Sequence, residues 1–330
     1  MEQRKADHIS MALQSQMKPE DQDARFHYEP LLHPHPGHLP VIKFLGKEMK
    51  APLWISSMTG GTNEARKINE NLARACRDFG LGMGLGSCRV LLEGDTYLAD
   101  FALRDIIGDD QPFYANLGIS QVEQLVYVNN TARIHEMVSK LRADGLIIHV
   151  NPLQEWFQPE GDRLQYAPIE TIKRFLDLAR YPVIVKEVGQ GMGPASLGEL
   201  LRLPLAAVEF ASFGGTNFAR AELLRQDKKD QQVYEPFTRI GENASDMVDY
   251  ANAIFLSDEE VMCRQVIISG GIRNFLDGYY LLKKIHVPAV YGQASGFLRH
   301  ARESYSELHD HVEAQVNGLK LAFQYLTIKA

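Results

Sequence analysis

PVIVKEV, residues 182–188, decides how this chain is to be read. The run is apolar and β-branched without the alternation of a half-solvated strand, and it ends on a GQG loop at 189–191. A short continuous apolar run of this kind is a strand of a parallel sheet, covered on both faces. Seven further runs share its grammar: PLWISSM (52–58), GLGMGLG (80–86), PFYANL (112–117), GLIIHV (145–150), AAVEFAS (206–212), QVIIS (265–269) and PAVYGQAS (288–295). The glycine-rich run at 80–86 carries the weakest strand signal. Between the runs lie helical stretches. Residues 63–79 place Ile68, Leu72, Ala75 and Phe79 at helical spacing, residues 169–179 do so with Ile172, Phe175, Leu176 and Ala179, and 275–285 and 309–326 follow. Eight strand–helix units in 330 residues predict an α/β fold, a TIM (β/α)8 barrel.

Outside that rhythm stand two segments. Residues 14–38 are polar and rich in Pro and His, and predict an extended arm and loop. Its run His33-Pro34-His35-Pro36-Gly37-His38 suggests a metal cluster, but the prolines forbid a helix that would align the rings and no carboxylate sits beside them, so it reads as a rigid loop. The organisation expected is an N-terminal arm and loop over 1–50 and a catalytic barrel over 51–330. A polar insertion at 218–262, with Lys228, Lys229 and Asp230 near its tip, falls between strands six and seven and fits a lid, an interface element or a flexible excursion equally well.

Composition narrows the function. Hydrophobic residues make up 45% and charged residues 23%, which excludes a mainly disordered chain. A net charge of −7 argues against a dedicated nucleic-acid partner. The sequence contains no apolar run long enough to span a membrane, and no apolar core follows the charged first ten residues, so neither a membrane span nor a signal peptide is read. Cys76, Cys88 and Cys263 form no motif, and a reducing cytoplasm is expected.

In this fold the chemistry sits in the loops after the strands. Strands seven and eight end in SGGIR (269–273) and YGQAS (291–295), both running into helices; glycine backbone, a helix N-terminus, Arg273 and Ser295 together suit a phosphate. Strand five carries Lys186, with Ile184 and Val188 on its side and Val185 and Glu187 on the other. A buried lysine fits a Schiff base, a cation beside an electron-rich cofactor, or a plain ion pair with a neighbouring strand's carboxylate such as Glu209. After strand four, His149 and Asn151 face one way, and Gln154 and Glu155 follow, Glu155 being a hard oxygen ligand suited to Mg²⁺ alongside phosphate oxygens. Small hydrogen-bonding residues close the other strands: Ser57, Met58 and Thr59, then Ser87, Cys88 and Arg89, then Asn116, then Ser212 and Thr216. They suit a large flat ligand lying against the backbone. The basic stretch Arg4-Lys5-Ala6-Asp7-His8 fits either a solvated tail or a partner for an anionic substrate.

RKADHI (4–9), SMTGG (57–61), GSCR (86–89), ANLG (115–118), HVNPLQEWFQPEGD (149–162), VIVKEVGQGM (183–192), FGGTNF (213–218), SGGIR and YGQAS occur in that order. In these motifs, spread from Arg4 to about His300, the chain resembles the type 2, FMN-dependent isopentenyl-diphosphate Δ-isomerases. The resemblance implies an enzyme that interconverts isopentenyl and dimethylallyl diphosphate, with FMN kept reduced by NADPH, with Mg²⁺ and with no net redox change. It implies FMN contacts at Ser57, Met58, Thr59, Ser87, Asn116, Lys186, Ser212 and Thr216, and a phosphate site at Gly270, Gly271, Ile272, Arg273, Ala294 and Ser295. The substrate would meet Arg4, Lys5, His8, Ser87, Arg89, His149, Asn151 and Gln154; Glu155 would hold Mg²⁺, and Gln154 and Lys186 would be catalytic. It also implies a homo-oligomer, a tetramer or octamer. Cys88 stands where the family usually has Gln, Phe218 where it usually has Trp, and Gln293 and Gly296 differ from the commoner residues; Cys88 bears on one substrate contact. Two other chemistries share the barrel: an FMN-dependent 2-hydroxy-acid oxidase or dehydrogenase, which needs a His base that the strand-seven and strand-eight loops lack, and a Schiff-base lyase on Lys186.

Overall fold

A computed structural model describes residues 11–12, 14–57, 64–257 and 259–329 of the chain. Eight strands close into a barrel: β1 (Leu53–Ile55), β2 (Gly82–Gly84), β3 (Phe113–Gly118), β4 (Gly145–His149), β5 (Val183–Lys186), β6 (Ala207–Glu209), β7 (Val266–Ser269) and β8 (Ala289–Gln293). Each pairs in parallel with its sequence neighbours, and β8 closes on β1 through Tyr291↔Leu53 to Gln293↔Ile55. The TIM barrel expected from the eight runs is the fold observed, the glycine-rich run included.

Strand alternation sorts the apolar side chains into two cores. Trp54, Tyr114, Ile147, Ile184, Ala207, Ile267 and Val290 fill the barrel interior. Their neighbours in sequence, among them Leu53, Ile55, Val183, Val185, Val208, Val266 and Ile268, face outward and pack under the helices with Leu72, Phe175 and Leu201. Continuous apolar strands are the consequence, because both faces are buried.

A hairpin, Ile42–Phe44 with Lys47–Met49, plugs the N-terminal end. Its two-residue turn has Leu45 at φ 51° and Gly46 at φ 78°, the left-handed pair that a tight hairpin needs. Phe44 and Met49 complete the inner core. The Leu45 amide donates to Gln265 Oε1 at 2.9 Å, and Lys47 Nζ reaches both oxygens of Asp144 at 2.7 Å. Gln265 and Asp144 directly precede β7 and β4, which fixes the plug at the bottom. Further along the arm, Phe26–Tyr28 pairs antiparallel with Leu326–Ile328, and Arg25 binds Asp277 at 2.8 Å.

The stretch read from sequence as one insertion at 218–262 has two natures. Helices Phe218–Leu223 and Lys228–Tyr234 and the turn Glu235–Arg239 pack on helix Pro152–Phe157 through Ala219, Leu223, Tyr234 and Phe157. Ala244–Ser257, by contrast, lies against the barrel helices Pro194–Leu201 and Phe275–Lys284 and is the regular helix between β6 and β7. Its inward positions are Ala244, Met247, Val248 and Ala251.

Candidate active site

The C-terminal ends of the strands surround a cavity of about 350 Å³. Ser57, Lys186, Ser212, Thr216, Gly270, Gly271, Ile272, Arg273, Ala294 and Ser295 all line it, so strands one, five, six, seven and eight meet there as the sequence suggested. Gly270 and Gly271 have φ +90° and +71°, and a Cβ on Gly270 would lie 2.1 Å from Ser212 O. Only glycine lets the β7 loop lie this close to β6. The Ser212 hydroxyl is spent on that contact, donating to Ser269 O at 2.6 Å. Arg273 is largely exposed and leans toward Asp277 at 3.4 Å.

Lys186 ends β5 and is 6% exposed. Its ammonium donates to Glu187 O at 2.8 Å. The ion pair with Glu209 considered above does not form: Glu209, its neighbour in register, accepts from the hydroxyls of Ser56 (2.6 Å) and Ser269 (3.0 Å). Glu187 points outward, where its carboxylate collects the amides of Gly189, Gln190 and Gly191 and shapes the loop; burial raises its pKa against those bonds.

At β4 the polar cluster is assembled. His149 Nδ1 lies 2.7 Å from Asn116 Oδ1, and Asn116 Nδ2 donates to Leu85 O, so the imidazole donates through Nδ1. Burial and then the Lys186 charge push His149 down to about 3. The ring is neutral, with the Nε2 lone pair toward Gly118. The Asn151 amide donates to Gln154 Oε1 (3.1 Å) and Glu155 Oε1 (3.0 Å), and Asp162 N–H donates to Glu155 Oε2 (2.9 Å). Ser87 and Arg89 are exposed after β2, with Arg89 Nη1 3.8 Å from Asp162. Met58, Thr59, Arg4, Lys5 and His8 lie outside the described residues.

Several buried polar atoms around this mouth have no protein partner: Ser57 Oγ, Asn151 Oδ1, Glu209 Oε2, Gln293 Oε1 and His311 Nε2. Buried polar atoms are ordinarily paired. Ser57 Oγ and His311 Nε2 can donate and the other three oxygens accept, so together they suit a polar ligand that itself carries hydrogen-bond donors. Among the described residues no group of three His, Cys, Asp or Glu side chains could hold a metal ion.

No family model matches the chain. Individual relatives do. It is 37% identical over 285 residues to an isopentenyl-diphosphate delta-isomerase of Rickettsia felis, covering 84% of this chain and 77% of the relative. It is 33% identical over 280 residues to the one of Rickettsia prowazekii, covering 84% and 78%. The chain belongs to the isopentenyl-diphosphate delta-isomerase family. In fold this isomerase-family chain is similar to the flavin-binding domain of baker's yeast flavocytochrome b2 (TM-score 0.59, 13% identity, 91% of this chain and 72% of that one). A mandelate oxidase variant carrying an FMN adduct matches at TM-score 0.55 and 13% identity over 93% and 88% of the two chains. At such identity the likeness shows the barrel alone.

Within the family, Cys88 supplies no contact at the position where Gln is usual. Its side chain is fully buried in the outer core, donates to Gly86 O at 3.4 Å, and is pushed up to about 12 by burial. It is an inert core residue that does not reach the mouth. Sequence reading also passed over Glu222. Gln154 Nε2 points at its Oε1 at 3.4 Å, and Arg225 holds its other oxygen at 2.6 Å. Glu222 lies in the excursion after β6, 68 residues from Gln154; the one available signal was its place four residues after Phe218 in FGGTNF.

Proposed function

We propose that the chain interconverts isopentenyl and dimethylallyl diphosphate at this mouth, using FMN, kept reduced by NADPH, and Mg²⁺. The observation that carries the reading is the pairing of His149 with Lys186 on neighbouring strands, which sets the glycine cradle beside the strand that leads into Asn151, Gln154 and Glu155. FMN would be held by Ser57, Ser87, Asn116, Lys186, Ser212 and Thr216, with Met58 and Thr59 from outside the described residues. Its phosphate would lie on Gly270, Gly271, Ile272, Arg273, Ala294 and Ser295. A bound reduced flavin supplies an electron-rich face that stabilises a tertiary, cation-like hydrocarbon.

The reaction adds a proton at the terminal alkene carbon and removes one on the diphosphate side of the double bond, with no net oxidation. Asn151 fixes Gln154 by its oxygen, which aims the Gln154 amide at Glu222. A carboxamide is a poor base, and Glu222 behind it gives the proton a carboxylate to reach. Arg89, His149 and Asn151 would meet the diphosphate, with Arg4, Lys5 and His8 of the arm. His149 stays neutral until an anion at Nε2 offsets its burial. Glu155 would give Mg²⁺ one hard oxygen, the diphosphate and water completing the shell.

The reading includes a reducing, cytoplasmic setting, consistent with three free buried cysteines and with the absence, among the described residues, of a helix long and apolar enough to cross a membrane. It also includes a homo-oligomer, tetramer or octamer, which fits the exposed Tyr28, Leu31 and Leu32 and is tested by light scattering. The purified protein should show flavin absorbance and convert labelled isopentenyl diphosphate only when reductant and Mg²⁺ are present. A colourless protein that binds no FMN, oxidation of a 2-hydroxy acid, or borohydride trapping of a substrate on Lys186 would each defeat it.

A further inference from the structure

Two imidazoles enter the cavity beyond the residues so far assigned. His300 comes from helix Ser295–Glu303 and His311 from helix Tyr305–Tyr325; both line the space next to Ser295, Gly296 and Arg299. The rings stack with centroids 4.3 Å apart and planes 20° from parallel. The buried Phe297 ring meets His311 edge-on at 5.9 Å and fixes its orientation. His311 Nε2 is buried without a hydrogen-bond partner. A Cβ on Gly296 would stand 3.6 Å from that nitrogen and within 4 Å of no other such atom. Gly296 therefore leaves the nitrogen open to the first turn of the 295–303 helix. Helical side chains lean toward the N-terminus, so Arg299 and His300, one turn on, lean over the same place.

We infer that His311, stacked on His300, forms a further wall of the flavin phosphate site and makes the protein select FMN over riboflavin. The inference rests on the flavin reading above and adds residues to it. A phosphate has three oxygens, more acceptor capacity than the amides of the Gly270–Gly271 loop and of one helix end can fill. Nε2 of His311 is the unpartnered nitrogen beside them, a donor when it carries the ring proton. Burial, then His300 and Arg299, push His311 down to about 4 in the ligand-free protein; with its proton on Nε2 the ring donates to the phosphate, and Arg299 provides charge.

The test strips the protein of flavin and titrates it separately with FMN and with riboflavin, which lacks only the phosphate. The wild type should prefer FMN. His311→Phe keeps the stacking ring and loses the donor; its FMN Kd should rise on the order of tenfold while its riboflavin Kd stays within about twofold. His311→Gln, which can still donate, should lie nearer the wild type. Equal weakening of both flavins by His311→Phe would make the residue merely structural, and an unchanged FMN-to-riboflavin ratio would remove it from the site. A raised KM for isopentenyl diphosphate at an unchanged ratio would give the wall to the substrate and overturn the assignment. Wild-type protein that binds neither flavin would instead break the underlying reading.

Discussion

Lys186→Ala separates a cofactor cation from a structural one. The ammonium is nearly buried and gives one of its three N–H groups to Glu187 O. Its register neighbour Glu209 is taken up by Ser56 and Ser269. Two donors are thus left for the cavity. A hydrogen bond to a charged partner contributes about 1.5–3 kcal/mol, against about 0.5–1.5 kcal/mol for a neutral one. Loss of the lysine should therefore raise the Kd of anionic reduced FMN roughly 10- to 150-fold and that of oxidised FMN roughly 2- to 10-fold. The difference, about 1–1.5 kcal/mol, corresponds to a two-electron potential lower by about 20–30 mV. Oxidised binding is read from fluorescence quenching on the apo-protein, and the potential from dye-equilibrated reduction. The apo-protein's unfolding free energy should change by no more than about 1.5 kcal/mol, because the ammonium makes a single protein hydrogen bond, to Glu187 O, and no close ion pair. An unchanged potential together with an unchanged Kd would refute the argument, and so would a large loss of apo stability with normal flavin binding.

Glu155→Gln sets an N–H₂ group against the Asn151 or Asp162 donor and removes a hard ligand; half-saturating Mg²⁺ should rise by about tenfold or more, and an unaltered Mg²⁺ titration with full activity would reject the role. Deleting residues 1–9 should raise the substrate KM by roughly tenfold or more per lost charge-assisted contact and spare flavin content; an unchanged KM would make the arm a tail. If activity returns on mixing an arm-deleted chain with a site-dead one, the arm serves a neighbouring subunit. His149 is held below its unfolded pKa, so its neutral state stabilises the fold above about pH 6.5 and that contribution is lost as pH falls toward 3. Relative to His149→Gln, the wild type should lose stability across that window with a slope of up to about 1.4 kcal/mol per pH unit in urea unfolding; parallel curves would disprove it. Gly278→Ala brings a Cβ within 2.7 Å of the Tyr291 ring and should cost about 1–3 kcal/mol of stability with kcat unaltered, and an unshifted melting curve would count against it.

The barrel was legible because strands covered on both faces leave continuous apolar runs, and because β4, β5, β7 and β8 end in residues with chemistry of their own. The plug was not. IKFLGKEM alternates over too few positions to stand out from the polar arm before it, and its meaning comes from Phe44 and Met49 meeting the inner core. Helix Ala244–Ser257 was hidden by its setting: its own residues are mostly apolar, with only Asp246 and Asp249 charged, but it follows directly on the polar excursion. Glu222 and His311 reach the mouth by tertiary packing alone, from segments whose own sequence pattern is that of ordinary helices. Cys88 shows the reverse case. A residue in a motif position looked like a contact, and the chain turns it into the core.

The plug below the inner core has a kinetic consequence. With Phe44, Met49 and Trp54 closing one end, the described residues leave the cavity open at the other. The inner part of the cavity, over Glu209, Ser56 and Lys186, lies beneath the exposed Gly215, Thr216 and Arg273, which line it nearer the surface. A flavin seated inside must arrive before the diphosphate and depart after it. Exchange of unlabelled for labelled FMN should accordingly slow as substrate concentration rises, and the cofactor should behave in practice as a resident that each turnover locks in.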